Sequence, residues 1–336
     1  MADTSPPARP TSADVARHAG VSRATVSYVL NGVNHAISEP VRQRVLAAAR
    51  ELHYAPNASA RSLRTGHSNL VLLPLPQDRS LPGQNVFLEH LNRELGRRDL
   101  ALLLHGDSTA SGIKGARTWA ELRPAAVYLD AARGTRRAVT LLRRAGVRAV
   151  LLGGVPAVPY APTLPLDQAG LARVATRHLF DRGHRRLACL VPQGNWAALA
   201  EPRCDAVADI AATEGGSVEP VPCEFSLDSL RPAIARWRDP ACRPDAVYAF
   251  NDEFALLLVQ ALSEAGLEVP GDIAVIGSGD QPLGAALRPA LTTVHFDLPR
   301  LAHAVADSLR RLLDGQDLDP AVTSAVQPRL IIRESA

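Results

Sequence analysis

The four cysteines of this 336-residue chain, Cys189, Cys204, Cys223 and Cys242, include no Cys-x-x-Cys pair, so no zinc site or redox motif is indicated. A reduced, cytoplasmic setting is expected. No run of apolar residues reaches membrane-spanning length, and residues 1–10 hold three prolines and an acid but no apolar signal segment; neither export nor a membrane anchor is expected. Also missing are a Gly-x-Gly-x-x-Gly fingerprint, a phosphate-binding loop ending in lysine, a metal-binding histidine pair and a nucleophile elbow. Gly277-Ser278-Gly279-Asp280 is glycine-rich but wrongly spaced for a dinucleotide, and His184 in Gly183-His184-Arg185-Arg186 has no partner in view and reads as a loop histidine. Catalysis, metal and cofactor therefore have no support, and the chain is not expected to be an enzyme.

What is present is a length that suggests two or three domains and an uneven charge. Residues 1–66 carry eight arginines against four acids, a net of +4, while the remainder holds 29 basic and 30 acidic residues. The positive excess sits in the first fifth of the chain, as a phosphate-contacting segment would have it, although arginine-rich solvated helices give the same count.

After a leader over 1–10, Thr11 or Ser12 can cap a helix that buries Val15, Ala16 and Ala19, and Gly20 ends it. Ser22 caps a second, Arg23–Leu30, with Val26, Val29 and Leu30 on one side; two caps around a glycine turn outline a helix-turn-helix. Arg23, Ala24, Ser27 and Tyr28 face outward, where arginine can pair with guanine, alanine can meet a thymine methyl and tyrosine can bond or stack. Asn31 and Gly32 stop this helix. Ser38-Glu39-Pro40 starts a third, whose buried stripe is Val41, Val45, Ala49 and Leu52, with Arg42, Arg44 and Arg50 outside. Beyond Tyr54-Ala55-Pro56, Asn57 can cap a short helix over 58–64, in which Leu63 lies between Arg61 and Arg64. That helix is either a minor-groove wedge or an ordinary linker packing its leucine on the body.

The run Asp14-Val15-Ala16-Arg17-His18-Ala19-Gly20-Val21-Ser22-Arg23-Ala24-Thr25-Val26-Ser27-Tyr28-Val29-Leu30-Asn31, then Val45-Leu46-Ala47-Ala48-Ala49 and Tyr54-Ala55-Pro56-Asn57-Ala58-Ser59-Ala60-Arg61-Ser62-Leu63-Arg64, closely resembles the head of the lactose-repressor (LacI/GalR) family. The resemblance implies a DNA-binding head over 11–56 and a hinge over 57–68 that folds on DNA and pairs with a dimer mate in the minor groove, Leu63 supplying the wedge. The implied DNA contacts are Thr11, Ser22, Arg23, Ala24, Thr25, Ser27, Tyr28 and Asn31 in the head, and Asn57, Ala60, Arg61, Leu63 and Arg64 in the hinge. Tyr28 replaces the family's commoner arginine, which bears on the half-site sequence.

From 69 onward, short apolar runs alternate with amphipathic stretches. Strands are expected at Leu70–Leu73, Leu100–Leu104, Ala125–Leu129, Ala149–Leu152, Arg186–Val191, Ala246–Phe250 and Ile273–Ile276; helices include Leu88–Arg97, Arg137–Ala145, Leu171–Arg182 and Glu253–Ala265. This is the pattern of an α/β protein with doubly wound parallel sheets, whose ligands sit beyond the carboxyl ends of the strands. Leu166-Asp167-Gln168-Ala169-Gly170, His178-Leu179, Asn251-Asp252-Glu253, Val269-Pro270-Gly271-Asp272-Ile273 and Leu291-Thr292-Thr293-Val294 resemble the family's sensor body, a two-lobed, periplasmic-binding-protein-like unit. On that resemblance, lobe 1 covers about 69–162 and 292–322, and lobe 2 about 163–291 and 323–336.

The resemblance carries over two effector contacts. Asp252 follows a strand and opens a helix, so its carboxylate either faces the cleft or caps the helix; Arg203 falls before the next helix as a ligand fork or a surface charge. Phe87, Trp196 and Phe250 are either stacking faces or core. Ser278 and Gly279 stand where the family usually has an aromatic and an acid. The implied protein is a cytoplasmic, nucleoid-associated homodimeric regulator, a repressor of a pseudo-palindromic double-stranded operator tuned by a small polar effector such as a sugar. A solute-binding protein of the same body fold, or an enzyme with an appended head, are the alternatives.

Overall fold

The three N-terminal helices form because their caps and stripes agree locally. The computed structural model describes residues 10–30, 37–55, 68–75, 83–106, 112–130, 133–154, 157–319 and 327–336, except the side chains of Asn195 and Ala198. It divides into two units, Met1–Ser68 and Asn69–Ala336. In the first, α1 (Ser12–Ala19) opens on a capping box in which the Thr11 amide donates to Asp14 at 2.9 Å and the Asp14 amide to the Thr11 hydroxyl at 3.4 Å. Gly20, at φ +65°, closes it. The Thr25 amide donates to Ser22 Oγ at 3.0 Å, starting α2 (Arg23–Leu30). Ser38 precedes α3 (Glu39–Glu51), where Pro40 in the first turn sets the backbone while the serine side chain makes no cap bond. Val15, Ala16, Ala19, Val26, Val29, Val45, Ala48 and Ala49 form the core. Leu30, Val41 and Leu52, expected inside, are half-buried at its rim, and Ala48 takes the inner place on α3. His18 and Glu51, 2.6 Å apart, tie α1 to α3.

The second unit holds two sheets. In the first, β1 (Leu70–Pro74), β2 (Ala101–His105), β3 (Ala126–Asp130), β4 (Ala149–Gly153) and β5 (Thr163–Leu164) run parallel in the order β2-β1-β3-β4-β5. Intervening chain forms α4 (Gln84–Gly96), α5 (Gly112–Glu121) and α6 (Arg136–Arg144). Alternate residues serve opposite faces: Val71, Ala126 and Leu151 join one cluster, Leu72, Val127 and Leu152 the other. The chain then enters α7 (Gln168–Asp181), β6 (Arg186–Pro192), a short 3-10 turn (Gly194–Trp196), α8 (Ala197–Thr213), β7 (Ser217–Cys223), α9 (Leu227–Trp237), β8 (Ala246–Tyr248), α10 (Asp252–Glu264), β9 (Ala274–Ser278), α11 (Pro282–Ala286) and β10 (Thr292–His295). It continues into α12 (Leu298–Leu313) and ends on β11 (Arg329–Ile331). The second sheet has the order β11-β10-β9-β8-β6-β7, with β11 antiparallel to β10 and the other pairs parallel.

Four strands depart from the sequence expectation. β5 is too short, and β10 and β11 too polar, to show a run. β7 contains Pro220 and Pro222, which fits its place at the end of the sheet. The Ser217 amide donates to Arg185 O, so residues 219, 221 and 223 turn their amides toward β6, and both prolines fall in the outward-facing set. The expected lobe boundaries also shift. Residues 163–164 hydrogen-bond into the first sheet, and 292–295 into the second, so the chain changes lobe after 164 and after 295. The returning α12 packs Leu301, Val305 and Leu309 with Leu91 and Leu95 of α4.

The packing of α4 beside α12 buries Glu94 among three cations: Arg98 and His303 at 2.8 Å and Arg97 at 2.5 Å. Led by the Arg98 hydrogen bond, they hold its carboxyl at about 2, below the usual 4.5. A depressed carboxyl stabilises the fold above pH 4.5 and loses that effect as pH falls toward 2. Glu94→Gln is therefore expected to cost about 2 kcal/mol at neutral pH and nothing at the acid end, read by urea unfolding across pH.

Candidate nucleic-acid interface and ligand site

Helical spacing turns Val26 and Val29 of α2 into the core, so the opposite face carries the polar side chains. Arg23 and Ala24 are exposed, Tyr28 is 36% exposed, and Thr25 and Ser27 are half-buried between the two faces. Ser22 is exposed, but its hydroxyl accepts the Thr25 amide and meets the Thr25 hydroxyl at 2.9 Å, so it positions the start of α2. The Thr11 hydroxyl donates to Asp14 at 2.7 Å and does the same for α1. Arg44 and Arg50 are exposed on α3, and Arg42 lies 3.7 Å from Glu39. One helix face thus offers a guanidinium, a methyl and a phenol in succession, with cations on a neighbouring helix of the same unit. Asn31, Asn57, Ala60, Arg61, Leu63 and Arg64 lie outside the described residues.

In the second unit, the polar side chains gather where β6, β8, β9 and β10 end. Asp252, the first residue of α10, is fully buried. Its Oδ1 accepts the Thr293 hydroxyl at 2.5 Å and its Oδ2 the Gln281 amide at 2.6 Å. Burial pushes its carboxyl above the usual value, partly offset by those two hydrogen bonds. Gly277 makes this possible, since a Cβ there would stand 2.3 Å from Asp252 Oδ1. Both readings of Asp252 are thereby corrected. Its oxygens brace α10 to β10 and to the 279–281 loop, and the cap is the preceding Asn251, whose Oδ1 accepts the Phe254 amide at 2.9 Å. The Asn251 Nδ2 is buried and has no hydrogen-bond partner among the described residues. It is the donor that the sequence reading missed; the available signal was a polar side chain directly after an apolar strand.

Arg203 is also repositioned. It lies inside α8 rather than before it, and is buried rather than a surface charge. Its Nε and Nη2 donate to Gln168 Oε1 at 2.8 and 2.6 Å, its Nη1 to the Phe250 carbonyl at 2.5 Å, and it stacks 4.4 Å over the Phe250 ring. Phe250 is buried in the core, with Trp196 edge-on at 5.6 Å. Arg203, Phe250, Trp196 and Asn251 therefore share one region. Phe87 does not join them; it packs in the first sheet's cluster, 6.3 Å from Tyr128. Beside the group, the Tyr248 and Ser278 hydroxyls are 3.0 Å apart, and Asp280 is held by Arg333 at 2.6 Å and His295 at 3.2 Å. With the carboxylates occupied internally, the donors that remain suit a ligand rich in acceptor oxygens or nitrogens.

Residues 11–57 match the family of bacterial regulatory proteins of the lacI type, and residues 176–336 a periplasmic binding protein-like domain. The HTH-type transcriptional repressor PurR of Vibrio vulnificus is 30% identical over 333 residues, covering 96% of this chain and 97% of that protein. The ribose operon repressor of Escherichia coli is 29% identical over 324 residues, covering 88% and 91%. Among solved structures, a lac repressor dimer bound to operator and the anti-inducer ONPF superposes with a TM-score of 0.77 at 23% identity, covering 97% of this chain and 98% of that one. A complex of the regulator CelR with cellobiose gives 0.66 at 26% identity, covering 98% and 100%. Among the described residues no helix is long and apolar enough to cross a membrane.

Proposed function

The chain belongs to the LacI family of bacterial regulatory proteins, and from that membership we infer a repressor that binds a pseudo-palindromic operator as a homodimer and answers to a small polar effector. The observation that carries this reading is the outward face of α2, where Arg23, Ala24 and Tyr28 project from a separately packed three-helix unit. In its mechanism, α2 enters the major groove, Arg23 pairs with a guanine edge, Ala24 packs on a thymine methyl and Tyr28 adds a hydroxyl or a stacking contact. Residues 57–68, with Arg61, Leu63 and Arg64, serve as the hinge between a head over 11–56 and a body over 69–336.

The effector is taken as a sugar or related metabolite, in line with the cellobiose of the CelR complex. Asn251 Nδ2 and the Arg203 guanidinium line its site, with Trp196 beside them, and it shifts DNA affinity only by its preference for one arrangement of the lobes. Family members are regulators rather than enzymes, and this protein is assigned no turnover. Its place is the cytoplasm, on the nucleoid.

Selection of bound genomic fragments by the purified protein at near-physiological salt tests the proposal. Enrichment of a pseudo-palindrome is the expected result; a folded dimer that enriches nothing, with or without candidate effectors, would refute it. Arg23→Ala is expected to weaken binding to the recovered site by about 1–3 kcal/mol, roughly ten- to hundredfold, with random DNA bound as before. Equal loss on both DNAs, by titration anisotropy, would remove Arg23 from base reading.

A further inference from the structure

Fifteen residues separate Cys189 from Cys204 in the chain, yet the fold brings them together. Cys189, on β6, is buried in the cluster that faces α7 and α8; Cys204, on α8, is half-buried against that cluster. Their thiols hydrogen-bond each other. Cys223, on β7, belongs to the cluster on the opposite face of the sheet. The next residue to Cys204 is Arg203, which ties Gln168, just past the first change of lobe, to the Phe250 carbonyl.

We propose that Cys189 and Cys204 form a peroxide-reactive dithiol, in which Cys204 is the attacking thiolate and Cys189 the resolving thiol. Cys204 is the partly accessible member, and the Cys189 hydrogen bond lowers its ionisation against the opposing effects of burial and Asp205. Cys189, hydrogen-bonded by Cys204 and buried, is held protonated, with the Arg203 charge acting the other way. Burial likewise pushes Cys223 up to about 12, which leaves it a spectator.

In the first step the Cys204 sulfur attacks one oxygen of hydrogen peroxide; an S–O bond forms, the O–O bond breaks and hydroxide leaves with its electron pair. In the second, the Cys189 sulfur attacks the Cys204 sulfenic acid; an S–S bond forms, and the departing hydroxide takes up the Cys189 proton as water. Two thiols lose two electrons in all, and the peroxide is reduced to two waters. The bond would fix α8 to β6 one residue from Arg203, and so place the Arg203 tie to Gln168 under the control of oxidation.

The test uses the full chain carrying Cys242→Ala, treated with a small excess of hydrogen peroxide, then unfolded without reductant for thiol counting and peptide mapping. Expected is the loss of two of its three thiols and one cross-linked peptide joining residues 189 and 204. Adding Cys189→Ser is expected to leave a Cys204 sulfenic acid that a dimedone probe traps, and adding Cys204→Ser to leave both remaining thiols free. Three free thiols after treatment, or a cross-link through Cys223, would overturn the proposal. The count on the Cys242→Ala chain decides it even if the buried Cys189→Ser variant does not fold.

Discussion

Replacing Val26 by Asp is expected to abolish operator-specific binding while the body's unfolding transition stays where it is. Val26 is fully buried at the centre of an eight-residue core made of valines and alanines. Deleting the isopropyl group removes about 1.5–3 kcal/mol of burial. A carboxylate in its place adds a desolvation cost of several kcal/mol, and a unit this small has only a few to lose. The head then unfolds, α2 no longer presents Arg23 and Tyr28 in register, and specific affinity falls by roughly a hundredfold or more, to the nonspecific level. Because Met1–Ser68 and Asn69–Ala336 pack as separate units, the body should melt as before. Anisotropy on cognate and random DNA, with a thermal melt, checks both halves. Retained specificity would show that α2 is not the reading element.

The second large effect lies in the body. Gly277→Ala would place a methyl 2.3 Å from Asp252 Oδ1 and 3.3 Å from the Asp252 Cα, and the carboxylate cannot swing aside without releasing Thr293 and Gln281. A loss of about 3–4 kcal/mol is expected. Asp252→Ala strands the buried Thr293 hydroxyl and the Gln281 amide and should cost roughly 2–4 kcal/mol. The double variant removes the oxygen that the methyl would strike, so its cost should fall short of the sum by about 1–3 kcal/mol in urea unfolding. Strict additivity would show that the two side chains do not compete for one space. The pH response of Asp252 runs opposite to that of Glu94. With a carboxyl raised above 3.8, its contribution is complete below pH 3.8 and is withdrawn as pH rises through the folded value; Asp252→Asn should flatten that limb.

The head was legible from local signals alone. Thr11, Ser22 and Gly20 mark helix ends within four residues of what they bond, and the 3.6-residue period puts Val15, Val26 and Val45 inside. In the body, strands buried on both faces stood out as apolar runs, whereas Thr292–His295 is buried by its neighbours in the sheet rather than by its own hydrophobicity. The lobe boundaries depend on that pairing and moved with it. The same distinction separates what was right and wrong about the ligand site. Arg203 is engaged by Gln168 and Phe250, 35 and 47 residues away, which no local pattern encodes. Asn251 and Asp252 differ by one position at the start of a helix; which of them caps and which turns inward follows from Thr293 and Gln281, 41 and 29 residues on from Asp252.

The proline-bearing strand at the end of the second sheet bears on how the protein tolerates crowding. An open strand edge is a template for another chain, and regulators that gather at one DNA site are exposed to that hazard. With Pro220 and Pro222 in outward-facing positions, a visiting strand finds carbonyls but lacks the amide donors needed to continue the ladder. Copies can therefore crowd together without this edge seeding fibrils, and joining subunits is left to surfaces other than the β7 edge.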